Sequence, residues 1–354
     1  MTRPIVLGAG PAGSVAALLL AKGGAKPILI DRDAEVGDPI CGGFLSWRTV
    51  GALRELGCDP AALGARSVTR LRLYQGERKA EAPLPGLSCG ISRHALDSAL
   101  RQLAIDGGAQ LEIDRARRVG QGVIEGDDRC WKSPAIFLAS GKHDVRGEAR
   151  PRSASDPALG LRLRLPGSPE LQNLIGDTIE LHLFPGGYAG IVLQEGGSAN
   201  ICLALRKSAL AEAGGDPWAV FKALAHDNPH FARRMACAEG QLPIDTIGAV
   251  PYGWIAQETE DGVYRLGDQA AVIPSLAGEG MAIALASGRA AAQSYLQGQG
   301  ASQYQRRFAS RAARPVRLAK ALWNVAETSR GATVMIAASR FPGLANLAMR
   351  LSRL

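Results

Sequence analysis

The sequence predicts an α/β fold that opens with a strand, a glycine-rich turn and a helix. The apolar run at residues 5–7 is followed at once by Gly8, Gly10 and Gly13. An Ala/Leu-rich helix comes next, and a second short apolar strand ends at Asp31. This order of elements is typical of a parallel sheet with packed helices, so we expect a Rossmann-like first domain.

Each residue of the glycine-rich turn has a distinct physical role. Gly8 permits the tight turn, and Gly10 lets the backbone approach a pyrophosphate because no Cβ is in the way. Gly13 lets the helix pack close to the sheet, while the helix N-terminus offers N–H groups to phosphate oxygens. Asp31, 18 residues after Gly13, is placed to accept hydrogen bonds from ribose hydroxyls. The turn therefore predicts a bound dinucleotide and leaves FAD and NAD as alternatives.

A second glycine-rich element lies in the C-terminal third of the chain. A strand at residues 263–266 leads into Gly267 and Asp268, and Gly278 and Gly280 then open an Ala-rich helix. A carboxylate at a strand end followed by a helix N-terminus can bind hydroxyls and anions. The element resembles the Gly-Asp motif of flavoprotein hydroxylases and reductases. The resemblance implies FAD, with Asp268 on the ribityl chain and the helix start at the flavin ring.

A third motif lies between these two. An amphipathic helix begins near Ser92 and Arg93, with leucines at helical spacing. The same flavoproteins carry an arginine here that reaches the FAD phosphates, so the resemblance implies that role for Arg93; a solvated surface arginine is the alternative. Non-covalent FAD is expected, since no His or Cys stands at an evident attachment position. The predicted cofactor-binding residues are Gly8, Gly10, Pro11, Ala12, Gly13, Asp31, Arg32, Arg93, Gly267, Asp268, Pro274, Gly278, Gly280 and Met281.

Further segments resemble the geranylgeranyl reductase branch of this family. The stretch "PSLAGEGMAIALASGRAAA" is similar to its Pro-x-x-x-Gly-Glu-Gly pattern, and "CGGFLS" to its Cys-Gly-Gly loop. Tyr188 matches the tyrosine of its Tyr-x-Trp-x-Phe-Pro segment, whereas Gly190, Val192 and Leu193 replace the Trp, Phe and Pro. Cys41, in the Cys-Gly-Gly loop, and Tyr188 are the catalytic candidates. The alternative interpretation is that Cys41 only fills space as a small buried apolar side chain.

The resemblance also bears on the electron donor. NAD(P)H is the candidate donor, but hydroxylases of this fold carry an Asp-Gly element where this chain has Ser140. Asp144 or Arg146 could compensate, so direct use of NADPH stays open. His143 is a titratable group in the same loop, and a surface histidine is the favoured interpretation.

The sequence predicts a discontinuous division of the chain. Short alternating stretches from 151 to 242 indicate antiparallel strands, followed by helices near 217–225 and 229–238. The predicted domains are an FAD-binding domain at 1–65, 88–150 and 243–298, an inserted substrate domain at 66–87 and 151–242, and C-terminal helices at 299–354.

Composition limits the partners and the location. The chain has 354 residues, 46% hydrophobic and 21% charged, with a net charge of +8, which is typical of a globular protein. Few aromatic residues accompany the basic ones, so nucleic-acid binding is not expected. The six cysteines have no disulfide or zinc spacing, no metal site is expected, and a cytoplasmic location fits. Segment 314–354 mixes Arg and Lys with apolar residues, which indicates either peripheral membrane contact or helices that cover the flavin domain.

Three functions remain open from the sequence. The favoured one is FAD-dependent reduction of a carbon–carbon double bond in an apolar, isoprenoid- or polyketide-like small molecule. The first alternative is an FAD-dependent monooxygenase that hydroxylates an aromatic or polyketide substrate. The second is a non-catalytic lipid-binding escort on the same fold, against which the intact Asp31 and Asp268 argue. The sequence does not predict an oligomeric state.

Overall fold

The structure, a computed structural model, describes residues 3–151 and 154–353. The strands in chain order are β1 (Ile5–Leu7), β2 (Ile28–Asp31), β3 (Phe44–Leu45), β4 (Arg66–Gln75), β5 (Arg78–Gly90), β6 (Gln110–Ile113), β7 (Arg118–Gly120), β8 (Val123–Glu125), β9 (Cys130–Lys132), β10 (Ile136–Leu138), β11 (Ala158–Leu165), β12 (Thr178–Phe184), β13 (Gly187–Leu193), β14 (Ala199–Arg206), β15 (Ile244–Val250) and β16 (Val263–Arg265). The helices are α1 (Pro11–Lys22), α2 (Trp47–Glu55), α3 (Arg93–Asp106), α4 (Pro169–Ile175), α5 (Lys207–Glu212), α6 (Pro217–Asp227), α7 (Pro229–Met235), α8 (Gly280–Leu296), α9 (Ala301–Ala326), α10 (Ser329–Ser339) and α11 (Pro342–Leu351).

A parallel sheet carries the two glycine-rich elements. In the described part of the chain its strand order is β16-β10-β1-β2-β6, and all neighbours pair in parallel. Its central strands are apolar and buried because α1, α3 and α8 cover one face and the β7–β8–β9 meander the other. Parallel strands end at one edge, so the glycine-rich turn, Asp31 and Asp268 meet there. The predicted Rossmann-like α/β class is confirmed.

A larger mixed sheet forms the second layer. Its order among the described strands is β15-β11-β14-β13-β12-β4-β5-β3, with β12 and β4 parallel and the other pairs antiparallel. One face packs against α4, α6 and α7 in an apolar core around Phe221 and Phe231. Helices α9 and α10 pack against the opposite face. The predicted antiparallel insert and C-terminal helices are therefore present.

Strand β15 joins the larger sheet, although residues 243–298 were predicted to belong to the FAD-binding domain. Ile244 pairs with Leu163 and Val250 with Ala158, so β15 extends that sheet at one edge. The alternation of the strand gives no signal of which sheet it joins, because any half-buried edge strand alternates in this way. The domain division as a whole stays a prediction.

Capping residues explain where the predicted helices begin. Ser92 precedes α3, and its hydroxyl accepts a hydrogen bond from the Ala95 N–H at 3.1 Å. Asp216 and Asn228 cap α6 and α7 in the same way, and each of these helices has proline at its first position. Both helices were predicted to begin near these prolines, and their starts agree with the structure. Among the helices of the described ranges, none is long and apolar enough to cross a bilayer.

Candidate functional site

The first glycine-rich turn follows β1 and leads into α1. Gly8 has a φ of +103°, and a Cβ there would lie 2.4 Å from the carbonyl oxygen of Ala139. At Gly13 a Cβ would lie 1.8 Å from the Gly8 oxygen, so helix and turn touch only because this side chain is missing. Gly10 differs, since its nearest neighbour would be an Arg93 nitrogen at 3.6 Å. The protein itself requires Gly8 and Gly13, whereas Gly10 leaves open space in front of the turn, which suits a phosphate group.

Asp31 ends β2 beside this turn. Its carboxylate accepts the Ala9 N–H at 2.6 Å and the Asp33 N–H at 3.0 Å, and Arg101 lies 3.4 Å away. The side chain therefore braces the glycine-rich turn as well as facing the open space beyond it. Ribose hydroxyls could donate to the remaining lone pairs of this carboxylate.

Arg93, at the start of α3, lies across from the turn. Its guanidinium forms a two-pronged ion pair with Asp97, at 2.8 and 2.6 Å. Burial raises the pKa of Asp97, and the charge of Arg93 opposes that shift. Because the Arg93 nitrogen lies beside Gly10, it is within reach of a phosphate placed there. The structure thus brings together two residues that are 83 positions apart in the sequence.

The second glycine-rich element follows β16. The Gly267 N–H donates to the Ser287 hydroxyl of α8 at 2.8 Å, which ties the turn to the helix. Arg150 donates to the Asp268 carbonyl at 3.0 Å and to Asp144 at 2.7 Å. The main chain of Asp268 is thereby fixed, and its side chain lines the cavity described next.

One cavity of about 1070 Å³ runs between the two glycine-rich elements and the larger sheet. Its volume is in the range of cofactor sites, with room for an additional ligand. Most predicted site residues line it: Gly8, Gly10, Pro11, Ala12, Asp31, Arg32, Cys41, Arg93, Tyr188, Gly267, Asp268, Gly278, Gly280 and Met281. Gly13 and Pro274 do not line it, because Gly13 packs on the turn and the buried Pro274 precedes the lining residue Ser275.

The far half of the cavity is apolar. Strands β4, β5, β12 and β13 form one wall and helices α9, α10 and α11 the other. Its apolar lining residues are Leu71, Leu73, Leu84, Ile179, Leu181, Leu322, Met335, Ala338, Ala345, Ala348 and Met349. Such a surface accommodates an apolar ligand and excludes water. Helices α10 and α11 therefore line the cavity in addition to covering the protein.

Three hydroxyl groups meet where the apolar half joins the second glycine-rich element. The Tyr188 hydroxyl donates to Ser275 Oγ at 2.8 Å, and the Tyr252 hydroxyl lies 2.7 Å from the same atom. Trp323 of α9 contacts both phenol rings edge-on, with ring centroids 5.7 and 5.6 Å apart. Burial raises the pKa of Tyr188 and of Tyr252, so both phenols are protonated at neutral pH.

Sequence reasoning found Tyr188 but missed Tyr252 and Ser275. Tyr252 follows β15, and Ser275 lies in the loop between Pro274 and Gly278. The three hydroxyls come from separate parts of the chain, so their spacing carries no signal. The Pro-x-x-x-Gly-Glu-Gly resemblance pointed to the loop that carries Ser275 but gave that position no role.

The Cys41 loop is held against β14. Asn200 donates from its side-chain amide to the Cys41 carbonyl at 3.0 Å, and the Gly43 N–H lies 3.5 Å from the Cys41 sulfur. Gly43 has a φ of +72°, and a Cβ there would lie 2.3 Å from the side chain of Gln194. Cys41 is half-buried and lines the cavity, so the structure leaves its thiol accessible to a ligand.

The loop expected to involve the electron donor also borders the cavity. The Ser140 hydroxyl donates to the His143 carbonyl at 2.7 Å, which closes the loop on itself. Asp144 pairs with Arg150, and the exposed Arg146 lies outside the cavity lining. Burial, Arg32 and Lys142 lower the pKa of His143. These contacts stabilise the loop and leave the choice of electron donor open.

The C-terminus of the chain is attached to the second glycine-rich element. Arg353 donates to the Ala277 carbonyl at 2.6 Å and pairs with the buried Glu279 carboxylate. Its guanidinium also lies 4.9 Å from the centre of the Trp47 ring. Helix α11 is thus fixed across the cavity at the end nearest Gly278.

The chain is similar in sequence to known FAD-binding proteins and oxidoreductases. A family model described as an FAD binding domain matches residues 1–122. A digeranylgeranylglycerophospholipid reductase from Methanopyrus kandleri is 28% identical over 308 residues, 82% of this chain and 75% of that protein. A probable electron transfer flavoprotein-quinone oxidoreductase from Escherichia coli is 30% identical over 325 residues, 81% of this chain and 75% of that protein.

A solved structure agrees at the level of the fold. A geranylgeranyl bacteriochlorophyll reductase-like protein from Thermoplasma acidophilum superimposes with a TM-score of 0.74 at 19% identity, covering 99% of this chain and 95% of that one. The sequence relatives and the FAD-binding match show the cofactor and the reaction class: FAD and oxidation–reduction. The chain therefore belongs to the geranylgeranyl reductase-like, aromatic-hydroxylase-fold family of FAD-dependent oxidoreductases.

Proposed function

We propose that this enzyme reduces carbon–carbon double bonds of an apolar, isoprenoid- or polyketide-like small molecule. One observation carries the proposal: the cavity that begins at the glycine-rich turn continues into an apolar half closed by α9, α10 and α11. The names of several relatives, digeranylgeranylglycerophospholipid reductases and menaquinone reductases, agree with a lipid-like substrate. An apolar chain gains free energy on entering such a cavity, at about 25 cal/mol per Å² of apolar surface removed from water.

The residues at the strand ends fit FAD. The open space at Gly10, the α1 N-terminus and Arg93 suit the pyrophosphate, and Asp31 suits the adenosine ribose. Asp268 lines the same cavity and would accept hydrogen bonds from ribityl hydroxyls, and the start of α8 would stabilise negative charge on the flavin ring. When bound there, FAD supplies the hydride chemistry, and this chain binds, orients and shields the reactants.

The experiment is a single turnover without oxygen. The FAD-loaded enzyme is reduced with dithionite and mixed with geranylgeraniol, a polyprenyl alkene, while absorbance near 450 nm reports flavin reoxidation. Reoxidation by the alkene under argon supports the proposal. Reoxidation only after oxygen is admitted would favour the monooxygenase, and no flavin-linked reaction in either case would favour the lipid-binding escort. NAD(P)H as electron donor stays a prediction, which is tested by using NAD(P)H in place of dithionite to reduce the enzyme.

We also propose peripheral contact with an anionic membrane through α10 and α11. Both faces of α11 carry apolar residues: Ala345, Ala348 and Met349 line the cavity, while Leu347 and Leu351 are exposed. Val334 of α10 and Phe341 before α11 are also exposed, at 62% and 64%. The exposed Arg330, Arg340 and Arg350 lie on these segments. An apolar surface next to arginines complements an anionic lipid surface, where each basic residue adds about 1 kcal/mol.

Vesicle sedimentation tests this contact. The full chain should sediment with phosphatidylserine vesicles at low salt, less at high salt, and little with phosphatidylcholine. The double substitution Phe341→Asp and Leu347→Asp should abolish binding. Ile113→Asp, which changes an exposed apolar residue on β6, serves as the matched control and should bind like the wild type. If the double variant sedimented with phosphatidylserine vesicles as much as the wild type, the proposed contact would be contradicted.

A further inference from the structure

The three hydroxyls of Tyr188, Ser275 and Tyr252 form a connected cluster with a surplus hydrogen. Two hydrogen bonds join the three groups, both through Ser275 Oγ. Three hydroxyls carry three hydrogens, and only two are used within the cluster. Tyr188 donates its own to Ser275, so the unused hydrogen belongs to Tyr252 or to Ser275.

The two residues that can carry the unused hydrogen are open to the cavity. All three residues line the cavity, but Tyr188 is only 5% exposed, whereas Tyr252 is half-buried and Ser275 is exposed. A phenol is a far stronger acid than an alkyl hydroxyl, with an ordinary pKa of about 10. A proton that leaves this cluster towards a ligand therefore departs from the Tyr252 oxygen, and Ser275 connects that oxygen to Tyr188.

We propose that Tyr252 is the proton donor of the reduction, with Ser275, Tyr188 and Trp323 as positioning residues. The proposal rests on the proposed function. A double bond that gains a hydride at one carbon must gain a proton at the other, and the surrounding walls are apolar. Trp323 holds both phenol rings, which fixes the direction of the Tyr252 oxygen.

When bound in its reduced form, FAD would supply two electrons and one hydrogen, as hydride, at the first alkene carbon. The O–H bond of Tyr252 breaks and a C–H bond forms at the second carbon, which leaves a saturated bond, oxidised FAD and a Tyr252 phenolate. Ser275 then returns a proton to the phenolate and regains one from Tyr188 or from solvent.

Two matched variants test the assignment, because each removes one phenol oxygen from the same serine. In single turnover with geranylgeraniol, Tyr252→Phe should react about a hundredfold more slowly, as expected for loss of a general acid. Tyr188→Phe should slow the reaction less than about tenfold, because it removes only a positioning contact. Both variants should keep the wild-type FAD content. If the wild type reacts and the two variants slow equally, the assignment of Tyr252 is overturned.

A binding measurement separates this proposal from the proposed function. The oxidised holoenzyme, without reductant, is titrated with menadione, an apolar ring with carbonyl acceptors, and with squalane, which has none. Tyr252→Phe leaves only the alkyl hydroxyl of Ser275, a weaker donor than a phenol, so it should weaken menadione binding about three- to tenfold and leave squalane binding unchanged. Tyr188→Phe should bind both probes like the wild type. Equal menadione affinity in the two variants would contradict a free hydrogen on Tyr252, whether or not geranylgeraniol is reduced.

Discussion

At the scale of single residues, charged and small side chains at the strand ends determine how a cofactor can be held. Asp31 and Arg93 already have protein partners, Ala9 and Asp97, so these two are in place before any ligand binds. Asp268 has its main chain fixed by Arg150, and its carboxylate lines the cavity. A preorganised group spends little free energy on ordering when the ligand arrives.

Asp268→Asn should weaken FAD binding without unfolding the protein. A charge-assisted hydrogen bond to a hydroxyl contributes roughly 1.5–3 kcal/mol, so the expected loss is about tenfold or more in affinity. Equilibrium titration of the flavin-free variant with FAD measures it. Asp261→Asn, at an exposed position before β16, is the control and should bind like the wild type. Unchanged affinity in Asp268→Asn would mean that the ribityl chain lies elsewhere.

Gly190 is a glycine that neither its backbone nor its neighbours require. Its φ is outside the left-handed region, and a Cβ would meet Tyr188, Leu181 and Cys202 at ordinary distances of 3.6–3.7 Å. Glycine within a strand costs roughly 0.5–1 kcal/mol relative to alanine. Because the residue lines the cavity, we infer that the space in front of it accommodates substrate.

Filling this space should block the substrate and spare the cofactor. Gly190→Trp should weaken geranylgeraniol binding roughly tenfold or more, by overpacking, while FAD content stays at the wild-type level. Gly190→Ala adds only a Cβ that fits and should change affinity little. Perturbation of the flavin absorbance on titration with geranylgeraniol measures the geranylgeraniol affinity of each variant. Wild-type affinity in the tryptophan variant would show that the ligand does not use this space.

At the scale of elements, local signals were sufficient for several helix starts and insufficient for the sheets. The starts of α1, α3, α6 and α7 follow from glycine, serine and proline signals that act within one turn. The partner of β15 depends on contacts far along the chain, so its sequence could not predict it. Tyr252 is the second residue after β15, and it was missed because its side-chain partners lie 23 and more residues away.

Arg353, buried just beyond the C-terminus of α11, joins this helix to the second glycine-rich element. Arg353→Ala should lower the free energy of unfolding by about 3 kcal/mol, because the variant removes the guanidinium that pairs with the buried Glu279 carboxylate. Apolar probes should then bind more weakly, since α11 is released from the cavity. Chemical denaturation measures the first effect and geranylgeraniol titration the second. Arg350→Ala, an exposed arginine on the same helix, should change stability by less than about 0.5 kcal/mol, and equal effects would contradict this role of Arg353.

At the scale of the whole molecule, one cavity joins the two sheets and the C-terminal helices. The sequence predicted the residues that line the cavity near the two glycine-rich elements, because phosphate and ribose binding require particular residues at particular spacings. An apolar substrate was expected only from the family resemblance. The residues of the apolar half could not be predicted, because Leu, Ile and Met positions that line a cavity look like ordinary core positions. Only the structure shows that α10 and α11 close this half, and their outer faces motivate the proposed membrane contact.

The mass of the product tests the central claim most directly. The FAD-loaded enzyme, reduced with dithionite under argon, is incubated with geranylgeraniol, and the extracted product is weighed by mass spectrometry. Reduction of one double bond adds two hydrogens, so we expect a gain of about 2 Da per turnover without oxygen. No product under argon, and a gain of about 16 Da once air is admitted, would contradict a reductase and identify a monooxygenase.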